Sequence, residues 1–238
     1  MSHPSCRSLI FAAVLSLPVA ADAAALVVAN ASFESPNTAN GTFSGSQTLG
    51  PAGWTVYNTG PTNSNRFFGV WDPTGTASFV SIPHGQQVGA VFLDDALGLE
   101  AGLQQVLGNT LQLSTQYTLT VGVGNFAPSA GDPWNFTGFP GYRVELLAGT
   151  TVLAADNNTL SPAEGVFLTS TVNFTTGVSH ANAGQALRIR LVNLNGPGVE
   201  VNFDQVGLDA EAVPEPSGLA LLALGAVLGL RARRREKV

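Results

Sequence analysis

Few groups in this 238-residue chain could do acid–base, nucleophilic or metal chemistry: it holds three histidines and one cysteine. His3 and Cys6 precede an apolar N-terminal run that reads as removed on export, leaving His84 and His180 far apart in a cysteine-free chain. Two isolated histidines lack the parts of a zinc site or of a Cys–His pair. No G-x-S-x-G elbow, H-E-x-x-H helix or phosphate-cradling loop occurs. Asp94-Asp95 with Glu100 is the tightest carboxylate group outside the tail. Paired carboxylates hydrolyse glycosides only when they flank the substrate, and adjacent strand residues point to opposite faces. A solvated loop is the expectation there, and a non-enzymatic protein the expectation for the chain.

Binding chemistry has better candidates. Sugar rings stack their apolar faces on indole or phenol rings, while amides and carboxylates take the hydroxyls. Trp134 stands with Asp132, Asn135, Phe136 and Phe139 in the segment Asn125–Gly141, long and aromatic for a plain connection. Trp71 precedes Asp72-Pro73 at a strand end. Trp134, Trp71, Asp132 and Asn135 are therefore the expected ligand-binding residues. Trp54, after Gly53, is expected in the core.

The elements that must carry these residues read as strands. Tyr117, Leu119, Val121 and Val123 alternate with Thr118, Thr120 and Gly122. Leu187, Ile189 and Leu191 alternate with arginines, and Tyr142, Val144 and Leu146 with Arg143 and Glu145. Period-two patterns with one apolar face predict half-buried antiparallel strands. Further strands are expected at Leu26–Ala29, Trp54–Tyr57, Phe67–Trp71, Val88–Leu93, Leu103–Leu107, Val166–Phe174 and Val199–Leu208. Turn-rich segments separate them, and Pro36–Gly50 reads as a long exposed loop. Ten or so short strands predict an all-β antiparallel sandwich over residues 26–212.

Composition narrows the partners. Only 11% of residues are charged, against roughly a quarter in an average domain. Residues 26–213 carry four arginines, no lysine and thirteen acidic residues, a net charge of −9, which excludes nucleic acid as a partner. The two ends are addresses. Arg7, the apolar stretch Leu9–Ala21 and the Ala21-Asp22-Ala23 pattern form a secretory signal peptide, taken as residues 1–25. At the other end Pro214-Glu215-Pro216 precedes a 14-residue uncharged run, Ser217–Leu230, and the basic cluster Arg231, Arg233, Arg234, Arg235 and Lys237. That run makes about 21 Å of helix against a bilayer core of about 30 Å, and snorkelling basic side chains extend its reach. The positive cluster would remain cytoplasmic, leaving the sandwich outside.

Residues 213–238 resemble the PEP-CTERM sorting signal of Gram-negative envelope proteins, a tail that also circulates under an ice-binding protein C-terminal domain label. The resemblance implies that an exosortase-type membrane transpeptidase recognises Pro214, Glu215 and Pro216. It also implies transient anchoring in the inner membrane and an association with exopolysaccharide. Within the sandwich, Asn30-Ala31-Ser32-Phe33-Glu34, Gly53-Trp54 and Phe203-Asp204-Gln205-Val206-Gly207-Leu208 form a frame that resembles galactose-binding-like jelly rolls, including carbohydrate-binding modules. Such folds often hold a structural calcium between the first and last strands, with Glu34 and Asp204 as its carboxylates here. The expected function is that of an exported, non-enzymatic envelope or matrix protein associated with polysaccharide. An extracellular polysaccharide hydrolase and a purely structural surface protein are the alternatives.

Overall fold

A computed structural model describes residues 23–59, 66–93, 99–128, 136–195 and 199–213. Those residues form strands and no helix. In chain order they are β1 (Ala24–Leu26), β2 (Phe43–Ser46), β3 (Thr55–Asn58), β4 (Arg66–Trp71), β5 (Val88–Leu93), β6 (Ala101–Thr110), β7 (Thr115–Asn125), β8 (Tyr142–Ala148), β9 (Thr151–Asn157), β10 (Val166–Thr175), β11 (Ala186–Asn193) and β12 (Glu200–Ala212). The signal peptide, the sorting motif Pro214-Glu215-Pro216 and the basic cluster lie outside the described residues. β1 begins directly after the Ala21-Asp22-Ala23 pattern.

Two antiparallel sheets build the sandwich. One runs β10-β7-β12-β5-β4-β2, with β1 pairing β12; the other runs β3-β6-β11-β8-β9. The long last strand is the spine of the first sheet. It pairs β7 along one edge, and β5 and then β1 along the other. Alternation sends Phe68, Val70, Val91, Leu93, Val121, Val123, Val201 and Phe203 inward against Leu103, Val144, Leu146, Ile189 and Leu191, all fully buried. Trp54 joins this core, stacked on Phe33 at 5.3 Å, with its Nε1–H donated to the Asn30 carbonyl.

Three details depart from the sequence pattern. β2 lies inside the segment expected to be an exposed loop, and it pairs with β4. Gly69 permits this, because a Cβ there would stand 2.2 Å from the Ser44 carbonyl oxygen. β9 was not anticipated, since Thr-Val-Leu-Ala-Ala-Asp-Asn alternates poorly and stays mostly exposed at an edge. A bulge interrupts β12 between Asp204 and Gly207, with Gln205 at φ 48°, so inward residues step from Phe203 to Val206.

A polar cluster ties the edges of the two sheets. Asp156 of β9 accepts from Tyr142 Oη (2.5 Å) of β8, from Ser170 Oγ (2.6 Å) of β10, and from Thr159 through both N–H and Oγ1. Despite burial, which opposes its charge, these donors hold its carboxyl below the usual range.

Candidate active site

The outward face of the first sheet carries the site. Antiparallel register sets Phe67 of β4 beside Phe92 of β5, and Phe92 beside Glu200 of β12. Their neighbours in sequence, Phe68, Val91 and Val201, face the core, so this row of three faces outward. Trp71, four residues along β4 from Phe67, shares the face and pairs with Phe43 across β2. Beyond β7 the chain supplies Phe126 and Phe136. These side chains line a cavity of about 320 Å³, with Gly41 and Thr42 also in its lining.

Six aromatic rings form a continuous wall. Phe43 stands edge-on to Phe67 at 6.1 Å, Phe67 lies 6.3 Å from Phe92, and Phe92 lies 4.7 Å from Phe136. Phe136 meets Phe126 at 5.6 Å, and Phe126 meets Trp71 at 6.1 Å. Trp71 and Phe43, at the two ends of this row, are cross-strand partners. Phe79, packed on both Phe126 and Phe167, buttresses the wall from behind.

Among the described residues, Glu200 is the one carboxyl in this lining, and it is only 5% exposed. Loss of water pushes its pKa up to about 7; the single opposing influence is a hydrogen bond from Asn202 Nδ2 to Oε1 at 2.7 Å. A carboxyl poised near neutrality is a competent proton donor as well as acceptor. Ring faces around it attract a cation formed by that proton, and an apolar lining keeps water away from it. Among the described residues, the buried indole Nε1–H of Trp71 has no acceptor.

The structure treats the expected site residues unequally. Trp71 stands in the cavity wall. Trp134, Asp132 and Asn135 lie outside the described residues, as do Asp94 and Asp95. Glu100 forms a two-point ion pair with Arg143. Glu34 and Asp204 come together at the other end of the strand face. Glu34 Oε1 accepts from the N–H groups of Gln86 and Gln87, and Asp204 Oδ2 accepts from that of His84. Gly85, at φ +67°, admits this closure, since a Cβ there would stand 2.1 Å from Glu34 Oε1. Burial first, and the neighbouring Glu34 charge after it, push Asp204 up to about 7. Among the described residues no three His, Cys, Asp or Glu side chains cluster as a metal site. Glu200 and Asn202 went unnoticed in the sequence. Their one signal was polar residues repeating at every second position, Glu200, Asn202 and Asp204, which reads as a solvated face unless something covers it.

Comparison with known proteins identifies the family of the chain. A Stig cyclase, Fisc, from Fischerella sp. TAU, solved with (3Z)-3-(1-methyl-2-pyrrolidinylidene)-3H-indole, is 38% identical, with a TM-score of 0.72 over 81% of this chain and 100% of that one. A cyclase from Fischerella sp. TAU in complex with 4-(1H-indol-3-yl)butan-2-one is 37% identical, with a TM-score of 0.71 over 81% and 100% of the two chains. Curated proteins give no match. Residues 212–235 match the PEP-CTERM protein-sorting motif, so the C-terminal address is the one its residues implied. Residues 24–209 match the family model described as HpiC1 cyclase. That match overturns the expectation of a non-enzymatic, polysaccharide-associated protein, together with its hydrolase and purely structural alternatives. The misleading frame was Phe33, Trp54 and Phe203, which are core residues; they hold a sandwich together and do not choose its ligand. By the match over residues 24–209 and the 38% identity to a whole solved cyclase, the chain belongs to the HpiC1-like cyclase family.

Proposed function

We propose that the sandwich is an acid-catalysed cyclase acting on a flat, unsaturated, indole-bearing substrate, with Glu200 as the proton donor. The observation that carries this is a buried carboxyl, without a charged partner among the described residues, set beside a row of six aromatic rings. The indole ligands of the two Fischerella cyclases supply the substrate class. Glu200 gives its proton to an unsaturated carbon, and the resulting cation is held against the ring faces while a carbon–carbon bond closes the ring. Loss of a proton from the cyclised cation to the carboxylate restores the acid. The net change is an isomerisation that needs neither oxidant nor reductant. Trp71, Phe92 and Phe136 shape the volume in which the chain of the substrate folds.

Two measurements test it. Titration with 4-(1H-indol-3-yl)butan-2-one should show saturable binding, lost when Phe92→Arg places a cation in the cavity. Incubation with a panel of 3-alkenylindoles should give products of unchanged mass, carrying solvent deuterium when run in D2O. Wild-type protein that binds no indole and isomerises none of the panel would overturn the assignment.

The sorting tail supports export with transient anchoring through 217–230, processing by an exosortase near Pro214-Glu215-Pro216, and release to the envelope or beyond. Pro216→Ala should leave the unprocessed form in the inner membrane. Calcium is supported more narrowly. Glu34 and Asp204 are two carboxylates drawn together, and a hard cation would relieve their repulsion. It needs six to eight oxygens, so backbone carbonyls would supply most of the shell.

A further inference from the structure

We propose that Asn202 is the positioning residue of the acid: it dictates which oxygen of Glu200 carries the proton, and so which atom meets the substrate. Resting on the role of Glu200 proposed above, this goes further by assigning that proton to Oε2. Asn202 lies two residues along β12 from Glu200 and therefore shares its face. It is fully buried, and its register partners are Ala90 on β5 and Gly124 on β7, over which the Phe167 ring packs. Nδ2 donates to Glu200 Oε1 at 2.7 Å and reaches the Gly89 carbonyl at 3.4 Å.

This arrangement has one orientation. Turning the amide over would set Oδ1 against the Gly89 carbonyl oxygen, two acceptors facing each other. Held as it is, Asn202 presents N–H to Oε1. In a neutral carboxyl the carbonyl oxygen accepts far better than the hydroxyl oxygen, so a donor at Oε1 leaves the hydroxyl proton on Oε2. Among the described residues, Oδ1 of Asn202 is buried without a partner. An orphaned buried acceptor is costly and calls for an explanation, and fixing the acid's geometry is one. A residue that merely bridged strands would be served as well by an apolar side chain of similar volume. Among the described residues, the side chains that share the cavity with Glu200 are Phe92 of β5, Phe67 and Trp71 of β4, Phe43 of β2, Thr42, Phe126 and Phe136, none of which titrates.

The test is a carboxyl titration followed by nuclear magnetic resonance on full-length protein labelled with ¹³C-glutamate. The Glu200 signal is identified by its disappearance in Glu200→Gln. In Asn202→Leu, and in Asn202→Ala should the leucine variant misfold, the midpoint should rise by about one pH unit as the donor to the charged form is lost. Turnover of the 3-alkenylindole panel should fall about tenfold, with binding of 4-(1H-indol-3-yl)butan-2-one within twofold of wild type. An unmoved midpoint in a folded Asn202 variant, with Glu200→Gln inactive, overturns the positioning role alone. Full turnover in Glu200→Gln overturns the acid itself and the positioning role with it.

Discussion

Asp156 and Glu200 are both buried carboxyls in one sandwich, and they are driven in opposite directions. Asp156 accepts four hydrogen bonds from Tyr142, Ser170 and Thr159 and is held in its charged form. Among the described residues Glu200 accepts one, from Asn202, and its deeper burial lifts it to about 7. Depth of burial and the number of donors aimed at a carboxyl together set its charge. The outer face of the second sheet makes the same point with ions. There Glu145 is bound by Arg143 and Arg190, Arg143 also grips Glu100, and Arg190 lies over the Tyr57 ring. The carboxyls with several partners hold structure together. The carboxyl with one donor among the described residues lines a cavity.

The largest expected effect separates these roles. Glu200→Gln should lower turnover of the 3-alkenylindole panel at least about 100-fold while the fold persists. Asp156→Ala should do the reverse, costing about 3 kcal/mol of stability in denaturant unfolding by stranding Tyr142 and Ser170 donors, with turnover per folded molecule retained. Exchange of these outcomes would break the comparison.

Opposite pKa directions give opposite pH dependences of stability. The folded value of Glu200 lies above its ordinary 4.5, so its contribution is full below about 4.5 and is lost as pH rises through about 7. The cost above that range is on the order of 3 kcal/mol. Asp204, also raised to about 7, adds to the same window. The stability difference between wild type and Glu200→Gln, measured from pH 4.5 to 8, isolates the Glu200 share and should shift against wild type as pH rises. The folded value of Asp156 lies below 3.8, so its contribution is present above that and is lost as pH falls through the folded value. Melts of Asp156→Asn should lack that acid-side loss.

Smaller effects are expected at the Glu34–Asp204 pair and at a partly exposed ion pair. Chelation should lower wild-type melting by the equivalent of about 2 kcal/mol if calcium is bound well above its dissociation constant, and Glu34→Ala should abolish the response. A melt indifferent to chelator removes calcium from the Glu34–Asp204 pair. Glu100→Gln should cost less than about 1 kcal/mol, because the pair it breaks is partly exposed and screened.

Strand identity was largely legible. The alternations at Tyr117–Val123, Leu187–Val192 and Tyr142–Leu147 became β7, β11 and β8, because period two reports which side of a strand must leave water. β2 was hidden because Phe43-Ser44-Gly45-Ser46 has little propensity of its own and forms by pairing with β4, where Gly69 lets it close in. Trp71 was singled out as a ligand residue, and it lines the cavity through its position on β4. Glu200 could not be singled out, since a glutamate alternating with Val201 on a strand is ordinarily solvated.

By itself the sequence determined the all-β class, the inward face of each major strand and the sorting address at the C-terminus. These are local properties, written in alternation and in short ordered motifs. Only the tertiary structure decided that one outward face is not solvent. Phe43 and Glu200 are 157 positions apart in the chain, and strand pairing through β4 and β5 brings them to one cavity. That long-range covering excludes water from the Glu200 carboxyl, and exclusion of water is what raises its pKa toward neutrality.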